Sequence, residues 1–269
     1  MAADSADPDG CPMSTSVSSR AVRQHLLRGL RAVADPDRAL QQQVYMKSTM
    51  PYLGVTTPVQ RKIARAVFQA RAMPDAATWR NVVLDIWRHA KFREERYCAM
   101  ELAGFRAYRD WLNPQAMPML EELIVTGAWW DYVDAIASNM VGAILKNNRS
   151  ELTPLLAGWA TDDDMWRRRT AILAQLKFKA ETDEQLLFHA IEASMASPEF
   201  FLRKAIGWAL REYSKTRPEV VIGYVHRHRN ELSGLSKREG LKVMLKQGRV
   251  SEIPAEDSAA GPDELYSDT

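Results

Sequence analysis

Residues 197–213 read Ser197-Pro198-Glu199-Phe200-Phe201-Leu202-Arg203-Lys204-Ala205-Ile206-Gly207-Trp208-Ala209-Leu210-Arg211-Glu212-Tyr213. The Ser-Pro pair opens a helix, because a hydroxyl can cap the first turn and proline gives up only an N–H that has no partner there. Lys204, Trp208 and Arg211 follow at spacings of four and three, which puts a large ring on a basic stripe of one helix face. Such a stripe suits a sugar-phosphate backbone, although an aromatic at helical spacing is also what a protein core contains.

The same helical grammar extends in both directions. Apolar positions recur every three or four residues, and no alternating or β-branched run is long enough for a sheet. The spacing predicts helices near 20–33, 38–48, 58–71, 78–90, 92–109, 116–126, 129–146, 151–160, 164–178, 183–195, 198–215, 218–229 and 236–247. Three capping boxes support the division: Thr57-Pro58-Val59-Gln60, Thr182-Asp183-Glu184-Gln185 and Ser236-Lys237-Arg238-Glu239. Pro74, Pro114, Pro118, Pro154 and Pro218 fall between periodic stretches as punctuation. The expected fold is therefore all-α. Short connections repeating at roughly 35–40 residues per helix pair point to an α-solenoid of HEAT-like antiparallel pairs with a concave groove. One domain over 19–250 is expected, with tails at 1–18 and 251–269 that are rich in Ser, Asp, Ala, Pro and Gly and read as disordered.

Charge is unevenly spread. The whole chain carries +2, but residues 1–16 hold three acids and no base, and residues 251–269 hold six acids and no base, so 17–250 carries +11. A segment that basic favours a polyanionic partner; an Arg-rich solvated surface reads equally well from charge alone. No apolar run approaches a membrane span, and the acidic, polar start does not resemble a signal peptide, so a cytoplasmic, nucleoid-associated monomer is expected. Cys11 and Cys98 fit neither a disulfide framework nor a zinc pattern, and Cys98 reads as a small core residue. Neither a cofactor nor a metal is expected.

Three further segments carry candidate chemistry. In Gly127-Ala128-Trp129-Trp130-Asp131-Tyr132-Val133-Asp134, Trp130 and Asp134 stand one turn apart on one helix face, while Trp129 points elsewhere. Taken alone, the pair reads as well as a core tryptophan and a surface acid. In Asp162-Asp163-Asp164-Met165-Trp166-Arg167-Arg168-Arg169, acids precede basic residues as at a helix start, with one carboxylate as the cap. Tyr45-Met46-Lys47, followed by Pro51–Pro58, reads as a helix end running into a turn and a new helix.

These segments together resemble the AlkD-type DNA alkylation repair glycosylases in residues, order and spacing over about 45–247. The most specific matches are Tyr45-Met46-Lys47, Glu122-Leu123-Ile124-Val125-Thr126, Trp129-Trp130-Asp131, Val133-Asp134, Leu176-Lys177, Lys204-Ala205-Ile206-Gly207-Trp208 and Leu210-Arg211-Glu212-Tyr213. The resemblance implies a HEAT-like fold holding double-stranded DNA on a concave basic face. It implies Asp134 as the catalytic carboxylate, with Trp130 and Trp208 flanking the deoxyribose of the lesion. Arg169 matches the family arginine beside that site, and Tyr45 and Arg211 match DNA-contacting positions. Lys47 and Lys204, within the matched motifs, are expected at the backbone too. The implied reaction is hydrolysis of the N-glycosidic bond of N7-alkylguanine or N3-alkyladenine without base flipping. Two alternatives stand beside it: a non-catalytic HEAT-like DNA-binding protein, which would be expected to lack the carboxylate, and a specialised glycosylase for bulky genotoxin adducts.

Overall fold

The structure, a computed structural model, describes residues 18–254. Most of the expected tails, and Cys11, lie outside the described residues. Within them every regular element is helical: α1 Ser19–Arg31, α2 Pro36–Tyr45, α3 Thr57–Ala70, α4 Ala76–Arg88, α5 Arg93–Ala103, α6 Met117–Gly127, α7 Trp130–Ile136, α8 Gly142–Asn147, α9 Arg149–Ala160, α10 Met165–Leu173, α11 Glu184–Met195, α12 Phe200–Ser214, α13 Pro218–Arg227 and α14 Gly234–Lys246. The chain divides after Ala103 into two compact units.

In the first unit, α1, α3, α4 and α5 pack together around Leu26, Leu30, Phe68, Trp79, Ile86, Trp87 and Leu102, all essentially without solvent exposure. Trp79 satisfies its indole N–H on the Leu102 carbonyl at 3.0 Å, so the ring can be buried without an orphan donor. The loop between α2 and α3 is pinned by an acid: the Glu94 carboxylate, 1% exposed, accepts the backbone N–H groups of Leu53 and Val55 at 3.0 and 3.1 Å. Gln60, expected to complete a capping box at the start of α3, instead lies buried and donates Nε2 to Cys98 Sγ at 3.3 Å. Cys98 is indeed a buried core residue, and burial pushes its thiol up to about 12.

The second unit is built from α6 to α14. Helices α7 and α8 are one continuous run, with a π turn over Ala137–Val141 between them. Gly142, just past that turn, meets the end of α10 so closely that a Cβ would lie 2.4 Å from the Ala174 carbonyl oxygen. Only glycine permits this approach, which seats the start of α8 against the end of α10. A second close contact joins α12 to α14: a Cβ on Gly207 would lie 2.5 Å from the Glu239 Cβ. Ser236 Oγ donates to the Arg203 carbonyl at 2.9 Å, and buried Lys237 donates to the Arg229 carbonyl at 2.9 Å.

Several helix starts differ from expectation by a residue or more. The cap of α11 is Asp183 rather than Thr182, and that of α14 is Ser233 rather than Ser236. Runs of Ser, Thr and Asp offer several side-chain acceptors within a turn, and tertiary packing selects among them. Of the three acids expected to supply one cap for α10, Asp164 does so, accepting the Trp166 and Arg167 N–H groups at 2.9 Å. Pro154 lies inside α9 rather than before it. The expected helix over 92–109 ends at Ala103, with a 3-10 segment at Arg106–Trp111.

Candidate functional site

The side chains of Asp134 and Arg169, 35 residues apart in sequence, meet in the second unit. Arg169 donates Nε to Asp134 Oδ1 at 2.7 Å and Nη2 to Oδ2 at 2.8 Å. This is the fork-on-carboxylate geometry that fixes orientation as well as charge. The remaining guanidinium nitrogen, Nη1, donates to the Phe201 carbonyl in the first turn of α12. The Arg169 side chain is 3% exposed and that of Asp134 is 12% exposed. The acid therefore keeps a narrow window to solvent while its partner has almost none.

Local backbone geometry presents this carboxylate. Trp130 begins α7 and Asp134 follows one turn later, so both stand on the same helix face as the spacing predicts. Directly after Asp134 the ladder widens into the π turn, and Ser138 Oγ donates to the Asp134 carbonyl at 2.8 Å. Trp129 turns to another side and meets Phe201 edge-on at 5.5 Å; Phe201 also packs on Trp166 at 5.2 Å. The Arg169 guanidinium lies over the same Phe201 ring, 5.9 Å from its centroid. This aromatic cluster buries Arg169 and holds its fork in one orientation. Burial pushes the Asp134 carboxyl up from its ordinary value, against the hydrogen bonds and charge of Arg169, and the Asp131 charge adds to the rise.

Lys204, Trp208 and Arg211 share α12 with Phe201, and Trp208 is half-buried. Both cations turn to one acid on α14: Lys204 Nζ reaches Glu239 Oε1 at 2.9 Å, and Arg211 Nη1 donates to Glu239 Oε2. Glu239, expected to close a capping box, thus bridges two cations instead. The acids before α10 are spent on local structure: Asp162 accepts the Asp164 N–H at 2.8 Å and pairs with Arg167 at 3.1 Å.

Arg169, which the resemblance sets beside the site and among the DNA-binding residues, commits its donors here to Asp134 and Phe201, and almost none of its side chain reaches solvent. In this geometry it positions the acid. Tyr45 and Lys47 belong to the first unit, at the end of α2. Tyr45 is 63% exposed, and Lys47 carries a left-handed backbone with φ +47°. Phe201 and Glu239 were missed as site residues. The first acts through a backbone carbonyl and the second across 28–35 residues, so neither leaves a local signal.

Fold and site define a class: an all-helical protein with an arginine-held, nearly buried carboxylate on one helix and a tryptophan between two cations on another. A family model described as DNA alkylation repair enzyme matches residues 26–244, and the chain belongs to that family. Among solved structures, a predicted DNA alkylation repair enzyme from Enterococcus faecalis is 28% identical with a TM-score of 0.72, over 79% of this chain and 97% of that one. AlkD2 from Streptococcus mutans is similar in fold, with a TM-score of 0.55 at 14% identity, over 85% of this chain and 98% of that one. No curated protein matches the chain. Among the described residues no helix is long and apolar enough to cross a membrane.

Proposed function

We propose that this repair enzyme is a DNA glycosylase that hydrolyses the N-glycosidic bond of cationic alkylated purines in duplex DNA and leaves an abasic site. The observation that carries the reading is the Asp134 carboxylate, clamped through both oxygens by buried Arg169 and placed one turn after Trp130.

An N7-alkylguanine or N3-alkyladenine already bears positive charge, so the base departs neutral and needs no acid to protonate it. Positive charge instead develops on the deoxyribose as the C1′–N bond stretches, as in glycoside hydrolysis. A preorganised carboxylate stabilises that charge and can take a proton from the attacking water. Because Arg169 holds Asp134 in place, little reorganisation is needed when the charge appears. Groups so placed contribute about 3–4 kcal/mol, or roughly 10²–10³ in rate. Trp130 and Trp208 would face the sugar cation and add about 0.5–2 kcal/mol each. Lys204 and Arg211 supply phosphate contacts on α12, and Tyr45 and Lys47 supply further contacts from the first unit. Work on the sugar from outside the stack, without base flipping, follows the family resemblance and would admit bulky adducts.

The test is release of free base from a duplex with a single N7-methylguanine under single-turnover conditions. Wild type should release it, and Asp134→Asn should be slower by about 10² or more. Equal rates for the two proteins would remove Asp134 from the mechanism. Binding of duplex without base release, from methylated and bulky adducts alike, would leave a binding protein in place of an enzyme.

A further inference from the structure

Glu239 stands where the expected DNA-facing row of α12 should be most basic. Its carboxylate carries Lys204 on one oxygen and Arg211 on the other, and these two residues flank Trp208 by one turn on either side. The Glu239 side chain is 15% exposed, whereas Lys204 is 41% exposed and Arg211 is 24% exposed, so the cations keep access to solvent while bound to the acid. Gly207 makes the arrangement fit, since α14 can bring the Glu239 Cβ against α12 only where no Cβ opposes it. Burial pushes the Glu239 carboxyl upward, but the hydrogen bond from Lys204 and the charges of Lys204, Arg211 and Lys242 outweigh it and hold the group below its ordinary range. It is an anion throughout the physiological range, with two oxygens between two cations, as a backbone phosphate would be.

We propose that Glu239 is a specificity-determining residue that competes with backbone phosphate for Lys204 and Arg211. The proposal rests on the glycosylase reading for its setting. With the acid in place, the row around Trp208 carries one net positive charge instead of two, and a duplex must displace a bound carboxylate to engage either cation. Undamaged DNA, which gains nothing at Asp134, is thereby held weakly. A lesion that also engages Asp134 and the tryptophans recovers the cost of the exchange. Glu239 touches no reacting atom; it acts through Lys204 and Arg211.

The test measures binding to an undamaged duplex as a function of salt, a readout independent of base release. Glu239→Gln should bind several-fold tighter than wild type, with the slope of log affinity against log salt steeper by about 0.9, the increment for one added phosphate contact. Lys204→Met should lower the slope by a similar amount, and the double variant should return to wild type. Glu212→Gln, an acid on the same helix that is bonded to Lys215 at 2.6 Å and stands 4.0 Å from Arg211, should change binding less. If the Gln variant unfolds, Glu239→Asp covers the case: the shorter acid cannot span both cations and should also bind more tightly. Unchanged or weaker binding for the Glu239 variants overturns the proposal, as does an equal gain from Glu212→Gln. A wild type that binds duplex but releases no base overturns the glycosylase reading and leaves this competition standing. A wild type that does not bind duplex overturns both.

Discussion

Two arginine–carboxylate clusters in the second unit use the same chemistry to opposite ends. In the first, Arg169 and Asp134 are matched one to one, and the guanidinium is further tied to the Phe201 carbonyl and covered by its ring. In the second, one acid serves two half-exposed cations. The exposure of the cations decides the difference, since the two acids are almost equally buried while Arg169 has far less solvent contact than Lys204 and Arg211. A desolvated pair is held firmly and is costly to break singly, whereas a pair near solvent is worth little and exchanges readily. The closed cluster is therefore suited to hold a group at a fixed position, and the open one to give up a partner.

The largest expected effect separates the clusters by stability. Arg169→Ala leaves Asp134 without its partner in a mostly buried position, and a loss of about 3–5 kcal/mol is expected in chemical denaturation. Glu239→Gln should cost about 1 kcal/mol or less by the same measurement. Equal losses would mean that the two clusters do not differ as their exposure indicates. The next effect is on rate: Trp208→Ala should weaken base release by about 0.5–2 kcal/mol of barrier while the thermal transition stays in place. A collapse of that transition would make Trp208 a core residue instead.

The third comparison is in pH. Burial raises the Asp134 carboxyl, so its ionised form is lost at a higher pH than for an ordinary aspartate. Single-turnover base release should therefore fall as pH is lowered, and at a higher pH than an ordinary aspartate would give. Glu239, held low by its cations, stays ionised there, so the salt slope of duplex binding should not change in the same interval. The folding contribution of Glu239 has the corresponding sign: it is present above the unfolded carboxyl value and disappears only as pH falls through the depressed folded one. A rate that falls no earlier than an ordinary aspartate would allow removes the proposed link between Asp134 burial and activity.

Much of the helical pattern was legible in the sequence because periodicity and proline placement are local. The periodicity of 197–213 announced α12, although the helix begins at Phe200 after Glu199 and not at the Ser197-Pro198 pair, and the run of three acids announced a cap before α10 without saying that Asp164 supplies it. Trp130 and Asp134 were placed on one face by spacing alone. What the sequence did not show depends on distant partners. Nothing within a few residues of Arg169 indicates that it turns inward to Asp134, and Glu239 looked like the end of a capping box because Ser236 stands three residues before it. The π turn after α7 was equally hidden, since a helix with one surplus residue has the same apolar rhythm on either side of the bulge.

That turn makes the site dependent on residue count as well as residue type. A π turn is a helix that has absorbed one additional residue, and one residue corresponds to about 100° of rotation about the axis. In this chain α8 is anchored through Gly142 against the Ala174 carbonyl, and because the π turn already absorbs the surplus, a deletion within Ala137–Val141 would restore regular helix and leave α7 with the same face toward α10. A further inserted residue, with the turn already occupied, would instead rotate α7 by about 100° and face Asp134 away from Arg169. A descendant that gained one small residue here could thus lose its chemistry with every catalytic side chain still present, and would look intact to any comparison that scores residues and overlooks a single gap.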